Sequence, residues 1–99
     1  MALTEKQTVE ALKALADPAR LRILRLLKQK GRCSIGKSTG LCARDIEAQV
    51  SLSQPTISHH MAVLKKAGLV HGEKCGLWMW YRRNEQSIQR LAQALSTNI

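Results

Sequence analysis

The 99 residues suit one small domain, 1–99, and 44% hydrophobic against 23% charged residues argues against disorder. Sixteen Lys and Arg against seven Asp and Glu give a formal charge of +9, which points to a polyanionic partner, most often nucleic acid. No apolar run approaches the ~20 residues of a membrane span, so a transmembrane protein is excluded.

The chain opens on Thr4-Glu5-Lys6-Gln7, a capping box with Thr4 as N-cap. Val9, Leu12 and Leu15 follow at helical spacing and predict a first helix over 5–16. Asp17-Pro18 restarts the chain as a second helix to about Gln29. Its Arg22, Arg25 and Lys28 form a basic row that most simply is a solvated face. Residues 31–40 hold three of the six glycines and predict a long loop. Gly31 and Gly36-Lys37-Ser38 match the spacing of a phosphate loop. Such a loop follows a buried strand, however, and this one follows a helix.

A short helix is expected from Cys42 to Val50, then a turn at Ser51-Leu52-Ser53 with Ser53 as the next N-cap. The helix that follows carries Pro55 in its first turn and stops at Gly68. Ile57, His60, Met61 and Leu64 make its inner face, with His59, Ala62 and Lys66 roughly opposite. His60 reads as a packed structural histidine. Leu69-Val70-His71 starts a strand, and a turn at Cys75-Gly76 leads into a second strand, Leu77 to Arg82. All three aromatic residues lie in that segment. Ile88, Leu91, Ala92 and Leu95 mark a terminal helix over 85–97. The fold class is therefore mainly α (α+β): five helices with a two-stranded β wing, in a winged helix-turn-helix.

Three segments resemble the ArsR/SmtB family of metal- and stress-responsive repressors. They are Lys13 through Leu24, Leu52 through Met61 with Leu64 through Val70, and Gly76 through Arg82. The resemblance implies a dimer with the first and last helices at the interface, which would use Leu12, Ile88, Leu91 and Leu95. Packing of the Leu91/Leu95 stripe on the protomer's own core stays open. It also implies binding to double-stranded DNA at a palindromic operator, with release on a signal. Gln54 can pair bidentately with adenine, and Thr56 and Ser58 can donate to phosphates or bases. His59 faces out, where the family often places a DNA contact. Lys65, Lys66, Lys74, Arg82 and Arg83 are candidates for phosphate contacts, although each alone is more often a solvated charge.

Members of the family often carry a Leu-Cys-x-Cys-Asp metal motif. Here the text is Leu41-Cys42-Ala43-Arg44-Asp45, so Arg44 stands where the second thiol belongs. A cation there disfavours a metal ion and favours a thiolate. A second family site uses Asp, Glu and His on the last helix, and residues 85–99 contain no His or Asp. No metal and no cofactor is expected. Cys33 and Cys42 are separated by a Gly-rich loop, and a reversible disulfide between them would close a ring of ten residues, worth roughly 2.7 kcal/mol on the chain-entropy model. Two alternatives stay open: a metalloid or other thiol-reactive ligand, and no sensing at all. Cys75, in the wing turn, is expected to stand apart.

An odd cysteine count with no export signal suggests a reduced cytoplasm. A thiol enzyme would need a Cys–His pair with an orienting group, which is not readable here, so no catalytic residue is assigned. A winged-helix module that binds RNA or protein without a sensor is the competing class.

Overall fold

In the computed structural model, which describes residues 2–99, the reciprocal cap at Thr4 forms as its spacing predicts. Thr4 Oγ1 accepts from the Gln7 N–H at 3.1 Å, and Gln7 Oε1 accepts from the Thr4 N–H at 2.9 Å. Helix α1 (Glu5–Leu15) follows. Asp17 Oδ1 then accepts from the N–H groups of Ala19 and Arg20, and Pro18 opens α2 (Pro18–Leu26) where its missing N–H is not needed. This helix ends three residues earlier than the pattern suggests. Tighter turns from Lys28 to Arg25 and from Gln29 to Leu26 close it, and the chain then turns out to pair Lys30 with Thr39.

The wing sheet has three strands rather than two. Leu41–Cys42 is a two-residue strand, β1, before α3 (Ala43–Val50). After α4 (Gln54–Lys66) come β2 (Val70–Cys75) and β3 (Trp78–Arg83), and the antiparallel order is β1-β3-β2. Leu41 pairs with Tyr81 and Cys42 with Trp80. So short a strand has no periodicity of its own, and its partner lies about forty residues away. Gly40 makes the approach possible. Its φ is +74°, and a Cβ there would run into the Tyr81 carbonyl and the Trp80 indole.

The hairpin turn is Gly76-Leu77, one residue later than expected, since Cys75 pairs with Trp78. Gly76 at φ +62° supplies the positive dihedral that a two-residue turn of the II′ kind needs at its first position. Leu77 is thus at the tip and not in the strand. Helix α5 (Glu85–Asn98) closes the chain, with Asn84 capping Ser87 and donating to the Gly68 carbonyl.

Ile23, Leu41, Ile46, Ile57, Met61, Leu64 and Leu69 are fully buried, drawn from α2, β1, α3, α4 and the link between α4 and β2. Each contributes about 1.5–3 kcal/mol of burial. Leu91, assigned above to a dimer interface, lies in this core at 4% exposure, because α5 turns it inward beside Ala94. Ile88 and Leu95 are half-buried against the same core, whereas Leu12 and Val9 on α1 stay open. No helix is long and apolar enough to cross a membrane, among the described residues.

Candidate nucleic-acid interface

Helix α3 and helix α4 form the helix-turn-helix, joined through Ser51 in the left-handed region at φ 56°. Helix α4 packs through Ile57, His60, Met61 and Leu64, the four residues its spacing assigned inward. His60 has a specific partner. Arg20 on α2 lies 3.0 Å from its Nδ1. Arginine only donates, so Nδ1 accepts and the ring proton belongs on Nε2. Arg20 also bonds the Ala14 carbonyl, and Arg22 donates to the Gln49 carbonyl at the end of α3 at 3.0 Å. Helix α2 therefore fixes how both helices of the motif are presented.

Gln54, Thr56, Ser58 and His59 are all exposed on the outer face of α4. Ser53 sits at the N-cap position, but its hydroxyl bonds Thr56 Oγ1 at 2.8 Å instead of a backbone N–H. Gln54 and Ser58 open onto a cleft of about 540 Å³ whose far wall is the wing: Leu77, Trp78, Met79 and Tyr81. Arg44 from α3 lines the same cleft, its guanidinium 5.5 Å from the Trp78 ring. Sequence reasoning placed Arg44 beside a thiol and missed this position. The pairing joins α3 to a strand about a third of the chain away, so no local pattern signals it.

The cations expected to meet phosphate do not lie together. Lys65 and Lys66 are exposed at the far end of α4, about 18 Å along the helix from Gln54, and Lys66 lines a groove against α1 with Glu10. Strand alternation sets Lys74 on the face of Met79 and Tyr81, and Arg82 on the opposite face with Trp80. Arg82 and Lys37 lie 5.7 and 5.0 Å from the Trp80 ring, and Lys28 and Lys30 share a groove with Arg82. Arg83 is not free for phosphate. It pairs with Glu85 at 2.7 Å and donates to the Leu24 carbonyl, tying β3 to α2 and α5.

The three cysteines are free thiols. Cys42 is wholly buried and sits at the N-cap of α3. Its sulfur is 3.1 Å from Asp45 Oδ2, to which it donates, and 3.4 Å from Ser34 Oγ. Asp45 Oδ2 also accepts from the N–H groups of Ser34 and Cys42. Burial pushes the Asp45 carboxyl up, but the bonds from Ser34 and Cys42 outweigh it and hold the group below its ordinary value. The charged neighbour of Cys42 is thus this carboxylate. Arg44, expected to favour a thiolate, lies on Trp78 instead. Cys33 is half-buried and adjoins Ser34, which touches the Cys42 sulfur.

A helix-turn-helix with an exposed polar recognition face, flanked by a β wing and carried on a +9 chain, defines a winged-helix DNA-binding protein. The chain belongs to the bacterial regulatory proteins of the arsR family, whose model matches residues 17–71. It is 34% identical over 99 residues to the HTH-type transcriptional regulator YbzH of Bacillus subtilis, covering 94% of this chain and 99% of that protein. It is 37% identical to an arsenical resistance operon repressor of Staphylococcus aureus, covering 95% of this chain and 82% of that protein. Among solved structures, a homodimeric winged helix-turn-helix DNA-binding domain from Mycobacterium bovis, a possible ArsR-family regulator, superposes with a TM-score of 0.72 at 26% identity. That match covers 94% of this chain and 79% of the other.

Proposed function

We propose that this regulator is a homodimeric repressor that binds an inverted-repeat operator and is released by oxidation of Cys33 and Cys42. The observation that carries the DNA reading is the cleft that sets Gln54 and Ser58 of α4 opposite the wing. Gln54 reads a base, with Thr56, Ser58 and His59 completing the contact face. Lys65, Lys66, Lys74 and Arg82 act on phosphates. Two recognition helices about 34 Å apart would match half-sites one turn apart. The homodimeric neighbour supports a dimer; for a pairing through the first and last helices, Leu12, Ile88 and Leu95 are the expected residues that stay at least partly open.

Such a protein acts in the cytoplasm, where the DNA is and where thiols rest reduced. The signal step is supported by position: Cys42 begins the first helix of the DNA-binding motif, and Ser34 brings the Cys33 segment to its sulfur. Peroxide takes two electrons and two protons from the two thiols, leaving one disulfide and two waters. The bond requires Cys42 to leave Asp45, which loosens the cap of α3 and, through the Ile46 and Ile57 packing, the seat of α4.

The experiment is binding to a duplex selected by the protein from a random pool, followed by fluorescence anisotropy. Gln54→Ala costs about 1–3 kcal/mol and relaxes preference at one base pair, while Lys66→Ala weakens binding to all sequences and flattens the salt slope. Equal losses on selected and random DNA for Gln54→Ala would overturn the base-reading role. Oxidant lowers affinity about 5–150-fold, the range of ordinary coupling energies. A Cys33/Cys42 double serine variant that still lets go under oxidant would overturn the redox assignment.

A further inference from the structure

The wing tip is apolar, although the protein around it is strongly basic. Residues 75–78 are Cys75, Gly76, Leu77 and Trp78, with no charge among them. Leu77 is 91% exposed and Trp78 38% exposed. A wing that only touched phosphates would carry Lys or Arg at its apex. Here the cations are set back: Lys74 on the preceding strand, and Arg44 at 5.5 Å from the Trp78 ring. The tip shares its cleft with Gln54 and Ser58, so it projects on the same side as the recognition face. Gly76 closes the turn in two residues and leaves Leu77 no neighbour to pack on.

We propose that Leu77 is a minor-groove wedge: it inserts beside a base step flanking each half-site and bends the duplex, with Trp78 against the sugars and Arg44 on the adjoining phosphate. The inference rests on the DNA-binding reading above and adds to it the residue that deforms the DNA. Sugar edges and base-pair floors are the apolar surface of the minor groove, and apolar side chains such as Leu enter there as wedges between base steps. Free protein holds an exposed leucine in water; the complex removes it. The unstacking cost falls on the flanking step, so specificity extends to base pairs that α4 never reaches, through the ease with which that step opens. Pyrimidine–purine steps, TA above all, are the flanks this wedge favours.

The test uses the protein with its selected duplex, in which 2-aminopurine replaces adenine at successive flanking positions and a donor–acceptor dye pair reports the bend. Wild type brightens 2-aminopurine at one step outside each half-site and bends the duplex by about 20–90°. Leu77→Ser loses both signals and weakens binding about tenfold, while Leu77→Met keeps them. The idea is overturned by a Leu77→Ser variant that bends DNA as wild type does, or by a wild-type complex with no unstacked flank. It is equally overturned if Leu77→Ser changes the sedimentation of the DNA-free protein, which would make the tip a contact between proteins. Failure to select any duplex would instead sink the DNA-binding reading and the wedge with it.

Discussion

Cys42 and Asp45 illustrate how one carboxylate serves a helix end and a thiol at once. Asp45 reaches back from the first turn of α3 to the Cys42 N–H, across to the Ser34 N–H, and onto the Cys42 sulfur. Those donors favour the charged carboxylate, and its field at a helix N-terminus is favourable as well. The folded protein thus titrates Asp45 below the ordinary 3.8 of the unfolded chain. Its stabilising effect is present above that ordinary value and is lost as pH falls through the lowered one. Asp45→Asn should cost about 1 kcal/mol near neutral pH, the order of a lost cap. The difference from wild type should shrink as the solution is taken below pH 3.8. Urea unfolding of both proteins at a series of pH values checks this; a constant difference across the acid range would mean that the carboxylate's charge is not what matters. The Arg20–His60 contact works differently. There a donor-only side chain selects the tautomer of a buried ring, and so links α2 to the helix proposed to read DNA.

The decisive contact at the level of elements is β1 against β3. Two residues suffice because Gly40 lets the chain pass close beneath Tyr81 and Trp80, and because the Trp80 indole N–H donates to the Thr39 carbonyl at 2.9 Å. That docking joins the long loop to the wing and places Cys42 at the start of α3. Gly40→Ala combines a disfavoured φ with a backbone collision. It should cost about 1–3 kcal/mol from the dihedral alone. Each kcal/mol corresponds to about 4–8 °C in a domain of this size. Thermal unfolding by circular dichroism reads the result. Gly31 has a similar φ of +71° with open space around it, so Gly31→Ala should lose only the dihedral part. Equal effects at the two positions would show that the close approach at Gly40 carries no weight.

For the molecule as a whole the question is which apolar surface belongs to the protomer and which to the proposed dimer. Leu91 belongs to the protomer, so Leu91→Asp places a charge in the core and should abolish the fold. Leu12, 37% exposed on α1, is the informative position. Leu12→Asp should retain helical content and a cooperative transition while shifting sedimentation to monomer, and specific DNA binding should fall with it. Sedimentation velocity beside circular dichroism separates the two variants. A Leu12→Asp protein that still sediments as a dimer would move the interface away from this face of α1.

The sequence alone determined the helices with strong local signals: the Thr4 and Asp17 caps, the inward set of α4, and the start of α5. Each rests on side chains within seven residues of one another, about two helical turns, so spacing is enough to read them. The polar face of α4, from Gln54 to His59, was legible for the same reason. Tertiary structure decided everything that joins distant segments. It made Leu41–Cys42 a strand, put Leu91 inside, tied Arg83 to the Leu24 carbonyl, and moved Arg44 from the Cys42 thiol to the Trp78 ring. A helical stripe has the same period whether it faces its own core or a partner, and a cation at a given position can turn to either of two neighbours. Only the packing of the other elements chooses between them, because burial and charge pairing are set by what surrounds a side chain and not by the residues beside it in the chain.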